Sequence, residues 1–190
     1  PMFDLSLPQS RKALLELDRH ATVTKVILAQ GWYYLLGKKG DPDANLRKLE
    51  EFAHEISQRG KTLYITSDVP LFNGTDIAAK SAIIAPRKMK VGWDGTLTRQ
   101  QHNEAQGQFN SRLMDICRHT DAVFVPVHLA FVQGDRYMAF EEHDGKKIAL
   151  YRNFDHISVE GAIRAIRFLM PRVFATSTGF TSAPDTVVAK

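Results

Sequence analysis

Over residues 8–19, PQSRKALLELDR, the apolar Leu14, Leu15 and Leu17 sit among charges, which predicts a short helix. The next stretch changes period. Residues 22–31, TVTKVILAQG, gather β-branched side chains into a near-continuous apolar run that stops at Gly31, the pattern of a strand covered on both faces. Leu46, Leu49, Phe52, Ala53 and Ile56 then fall on one helical face before Gly60. A second apolar run, KTLYITSDVP at 61–70, reads as another buried strand closed by Pro70. Residues 71–96 hold Gly, Asn, Pro and Asp without sustained periodicity and read as a long surface excursion. After it, Phe109, Leu113, Ile116 and Cys117 recur in helical register over 98–120, and DAVFVPV at 121–127 supplies a third strand. Asp144-Gly145 lies between two short runs and predicts a tight hairpin. A last helix starts at Ser158, carries Ile163, Ile166, Phe168 and Leu169 as its apolar face, and is ended by Pro171.

Strands alternating with helices predict an α/β fold, a three-layer αβα sandwich around a mainly parallel sheet, with a small β-hairpin appended. The expected division is one domain over 1–171 and a loosely held tail over 172–190, since the tail has no core-forming pattern. A chain of 190 residues suits one sizeable core better than two.

Charge narrows the partners. The net charge is +4, with 25 Lys and Arg interleaved with 21 acidic residues, and PRKMK at 86–90 reads as a solvated loop. Nucleic acid is therefore not the expected partner, because a phosphate backbone requires clustered cations. Cys117 is the single cysteine and reads as a structural thiol, so disulfide and multi-cysteine metal chemistry are out of reach. His20, His54, His102, His119, His128 and His143 show no metal-ligand spacing. No metal and no cofactor is expected. The chain lacks any apolar run of membrane-spanning length and reads as soluble.

In a parallel sheet, ligands collect at the C-terminal strand ends. The residues placed there are Gly31 and Trp32 after the first strand, Ser67 and Asp68 after the second, and VHLAF after the third. The segment NFDHIS, before the last helix, brings Asn153, Asp155 and His156 to the same rim. An imidazole with a second group on its other nitrogen is the arrangement of a general base, and Asn153 and Asp155 are both candidates for that second group. The competing reading is a helix-entry histidine bonded to nearby backbone. Ser67 is the serine of this rim, and it is also explained as a turn residue before Asp68 and Pro70.

The block LYRNFDHISVEGA resembles the closing motif of the SGNH hydrolase domains attached to bacterial membrane acyltransferases of the acyltransferase type three family. KVILAQGWYYL and TLYITSDVPLF resemble two further blocks of that family, in its order, and the likeness spans roughly residues 22–170. The resemblance implies an SGNH-like, flavodoxin-like fold. It implies His156 as the base of a Ser-His-Asp triad, with Gly31 and Trp32 on the wall of an acyl site. It implies an extracytoplasmic, periplasmic domain tethered through a membrane acyltransferase domain, moving an acetyl or short acyl group from an acyl donor to a glycan hydroxyl. An esterase of the same fold, or an inactive glycan- or partner-binding module, are the alternatives. Two departures stand out. The family's triad Asp falls on Asn153, an exchange that costs about 10⁴ in turnover in a serine protease. The family's Gly-Asp-Ser nucleophile motif does not occur in these 190 residues, which, with the Pro-Met start, reads as a domain lacking its opening strand.

Overall fold

The computed structural model describes residues 3–38, 41–72, 95–152 and 155–174. In chain order the elements are α1 (Pro8–Arg19), β1 (Lys25–Leu28), α2 (Pro42–Gln58), β2 (Thr62–Thr66), β3 (Thr96–Thr98), α3 (Gln108–His119) and β4 (Val123–Val125). A 3-10 turn at Val127–Phe131 leads into β5 (Val132–Gln133), β6 (Arg136–Met138), β7 (Phe140–His143), β8 (Lys146–Ala149) and α4 (Val159–Phe174). Asp41 caps α2 by accepting from the N–H groups of Asp43 and Ala44, and Pro42 fills the first helical position.

β1, β2 and β4 form a parallel sheet in the order β1-β2-β4, with Lys25 opposite Thr62 and Tyr64 opposite Val123. Alternation along β2 sorts the two faces. Leu63 and Ile65 join Leu49, Phe52 and Ile56 of α2 and Leu113 and Ile116 of α3 in the larger core cluster. Tyr64 points the other way, where Val125, Val127 and Val173 close around it and Phe168 and Leu169 of α4 pack against them. The result is the expected three-layer sandwich, with α1, α2 and α3 on one face and α4 on the other. β2 is buried on both faces as its apolar run predicts, but β1 is not: Ile27 remains 40% exposed because β1 lies at the edge among the described strands.

The hairpin is β7 and β8, turned by Asp144 (φ 50°) and Gly145 (φ 70°), both in the left-handed region that a two-residue hairpin loop requires. A second antiparallel sheet, β3-β6-β5, was not legible in the sequence, since strands of two or three residues are too short to show a period. Its β3 falls at the end of the expected excursion; residues 73–94, including the PRKMK cluster, lie outside the described residues.

α4 corrects two expectations. Pro171 does not end it; the helix runs on to Phe174. The last turn holds because Arg172 Nη1 donates to the Phe168 carbonyl, while Lys25 Nζ (2.5 Å) and the Tyr64 hydroxyl (3.3 Å) donate to the Val173 carbonyl. Residues 175–190 lie outside the described residues. The inward face keeps Phe168 and Leu169 of the expected four but not Ile163 and Ile166. Ala165, Phe168, Leu169 and Val173 pack inward, whereas Ile163 and Ile166 fall with Val159, Met170 and Phe174 on an exposed stripe. α4 is apolar on both sides, so hydrophobic spacing alone did not choose between them.

Candidate active site

A cavity of about 680 Å³ opens where β1, β2 and β4 end. β1 leads into its Ala29, Gln30 and Gly31, β2 ends in its Thr66, Ser67 and Asp68, and Val127 follows β4. Arg152, Asp155, His156 and Ile157 form the next wall, and Ala165, Ile166 and Leu169 of α4 close it with apolar surface.

Asp68 ties two of these rims together. Its Oδ1 accepts from the Trp32 N–H (3.0 Å) and its Oδ2 from the Tyr33 N–H (2.7 Å). Burial pushes its carboxyl up to about 6, and the two N–H bonds pull in the opposite direction. The Trp32 indole turns away from the cavity. It is 1% exposed, stacks on Phe3 and donates from Nε1 to the Thr66 carbonyl at 2.6 Å. Trp32 therefore meets the site through its backbone, and Gly31 is the one of the pair that lines the cavity.

The loop carrying His156 is clamped at both ends. Tyr151 bridges Ile157, and the Arg152 N–H donates to the His156 carbonyl at 2.8 Å. Ser158 caps α4, its Oγ accepting from the Gly161 N–H (3.1 Å) and donating to the Ala149 carbonyl (2.7 Å). Gly161 is required by close approach: a Cβ there would stand 2.0 Å from the Leu150 carbonyl oxygen. Two consecutive side chains emerge from this clamp. The Asp155 side chain is 8% exposed and that of His156 is 71% exposed, with His156 Nδ1 at ion-pair distance, 2.8 Å, from Asp155 Oδ1. The other carboxylate oxygen accepts from the Tyr34 hydroxyl, a bond that, with burial, pushes the phenol up to about 12 and keeps it a donor. Asn153 lies outside the described residues.

A second polar pair went unread in the sequence. Ser67 is 4% exposed, and its Oγ accepts from the His128 N–H (3.0 Å) and lies 2.8 Å from His128 Nδ1. His128 stacks on His102, centroids 4.8 Å apart, and His102 in turn packs on Tyr137 at 4.4 Å. Burial pushes His128 down to about 3, helped by His102 and Arg99, and His102 down to about 4. No sequence spacing announces a contact between residues 67, 102 and 128. The Tyr34–Asp155 bond is hidden for the same reason, since the two residues lie 121 positions apart.

The family model of the SGNH domain, the one fused to AT3 domains, matches residues 5–171. The chain belongs to that family. Among solved structures, the periplasmic domain of a lipopolysaccharide acetyltransferase of Salmonella ser. Paratyphi A shares the fold with a TM-score of 0.65 at 12% identity. The match covers 87% of this chain and 62% of that one. No curated protein matches the chain. As an SGNH domain, the chain carries the mixed α/β sandwich, and among its described residues no helix is long and apolar enough to cross a membrane.

Proposed function

We propose that this SGNH domain works in the periplasm as the acyl-transfer part of a membrane O-acyltransferase. It moves an acetyl or similarly short acyl group to a hydroxyl of a cell-surface glycan. The observation that carries the reading is the Asp155–His156 pair: an exposed imidazole on the cavity wall with a nearly buried carboxylate at its Nδ1. Family membership and the likeness to the periplasmic domain of a lipopolysaccharide acetyltransferase support the substrate class.

In this reading His156 accepts the proton of an attacking hydroxyl through Nε2, while Asp155 fixes the tautomer and balances the positive charge that develops on the ring. Asp155 takes the part that the family pattern gives to the position of Asn153. The Tyr34 hydroxyl holds the far oxygen of that carboxylate, so the pair keeps its orientation between turnovers. Gly31, Ser67 and Asp68 shape the acyl-binding wall, and the apolar Ile166 and Leu169 favour an acyl chain over water. An acyl-enzyme would form first and the glycan hydroxyl would then attack it. The resemblance assigns the nucleophile to a Gly-Asp-Ser serine outside these 190 residues.

A second reading, a module that binds a glycan without acyl chemistry, is favoured by Asn153 at the position of the family's triad Asp. The two separate on one experiment. Acetylation of the glycan by the longer natural protein is expected to fall about 10²–10⁴-fold in His156→Ala, the range for loss of a general base. Unchanged turnover in that variant contradicts the proposal.

A further inference from the structure

We propose that Ser67 and His128 form a second nucleophile–base pair on the same cavity, able to take an acyl group from an activated ester. The inference rests on the reading of the cavity as an acyl site, but not on His156. Among the described residues Ser67 is the serine that lines the cavity. Its Oγ is doubly engaged by one residue: the His128 N–H donates to it at 3.0 Å, and Nδ1 of the same residue lies at 2.8 Å.

That geometry suits activation of the hydroxyl. Half-buried and packed against the buried His102, the His128 ring stays neutral, so one of its nitrogens carries no proton. With Nδ1 as that nitrogen, the Ser67 O–H donates to it, and the His128 N–H is already aimed at the oxygen that gains negative charge. The chain holds Ser67 rigidly for this. Its own N–H is bound to the Val125 carbonyl, tying the end of β2 to β4, and its side chain reaches across to the turn that follows β4.

The step balances without a co-reactant other than the ester. The Oγ–C bond forms as the bond from the acyl carbon to the leaving oxygen breaks. The Oγ proton passes to Nδ1 and from there to the leaving oxygen. Burial opposes a lasting imidazolium, so both transfers belong to one passage over the barrier. The product is an acyl-Ser67 ester, with no change of oxidation state.

The test treats this chain with p-nitrophenyl acetate and maps the acetylated peptides by mass spectrometry, native and in urea. The expected result is one acetyl group on Ser67 in the native chain, lost in urea and absent from Ser67→Ala. It should form at least ten-fold more slowly in His128→Gln. Wild-type mapping needs no variant to fold: no acetyl group on Ser67, or equal labelling in urea, overturns the proposal. Labelling that vanishes in His156→Ala overturns the assignment of His128. Failure of the proposed function reads out separately, as glycan acetylation by the longer protein that ignores His156→Ala.

Discussion

Asp68 shows how a single carboxylate couples site architecture to solvent. Both of its oxygens accept backbone N–H groups from the turn that follows β1, so it fixes where Gly31 and Trp32 lie relative to β2. Its burial raises the carboxyl to about 6 against an ordinary value of 3.8. The sign follows directly. Between those values the folded chain holds a proton that the unfolded chain has lost, so stability falls as pH rises from about 4 to about 6 and is flat above. The size is on the order of 3 kcal/mol, from two units at about 1.4 kcal/mol each. Carbon-13 NMR of the Asp68 carboxyl is expected to titrate near 6; a midpoint near 3.8 would show that the carboxylate is solvated. At this scale the sequence was informative where chemistry is local. Gly31, Ser67, Asp68, Asp155 and His156 were all placed on the rim by position alone, and the structure brings them to one cavity. It was silent where partners are remote. Nothing in the sequence brings Tyr34 to Asp155 or His128 to Ser67, because those contacts exist only once β2, β4 and the helix entry are assembled.

The elements were legible in proportion to their length. α2 and α3 showed a single apolar face, and each packs as that face directs. The hairpin was announced by Asp144-Gly145, whose positive φ values are what that dipeptide supplies. α4 was read less well. Its two apolar sides gave periodicity no way to choose, and its C-terminal turn is held in part by Lys25 and Tyr64, which the helix sequence alone does not reveal. The same helix carries a sharp prediction at its other end. Gly161→Ala gains about 1 kcal/mol of helix propensity. That gain is outweighed by a Cβ placed 2.0 Å from a backbone oxygen, since Leu150 cannot move without displacing the Tyr151–Ile157 clamp. Overpacking of this kind costs about 1–3 kcal/mol. A lowered Tm with reduced acyl transfer is expected in Gly161→Ala, and a raised Tm would show that the helix stands off from the β8 end.

Across the whole molecule, the fold explains why His156, the last of the rim residues in the chain, reaches the cavity. The parallel sheet fixes the ends of β1, β2 and β4 side by side, and α4 crosses the opposite face from α1, α2 and α3. Its N-terminus therefore returns to the C-terminal edge of the sheet, and the loop before it faces the cavity. The βα rhythm made that arrangement readable; the small sheet β3-β6-β5, assembled from non-local pairs, was beyond it. In the proposed function the imidazole has two candidate partners, the Asp155 carboxylate and the Asn153 amide. The measurement that decides between them is a double-mutant cycle on glycan acetylation by the longer natural protein, using Asp155→Asn and His156→Ala, with Asn153→Ala beside it. The account predicts that Asp155→Asn lowers turnover about 10²-fold or more and adds almost nothing in the His156→Ala background, while Asn153→Ala has a much smaller effect. Losses from Asp155→Asn and His156→Ala that simply add, or an Asn153→Ala that is the more damaging of the two loop changes, would contradict it.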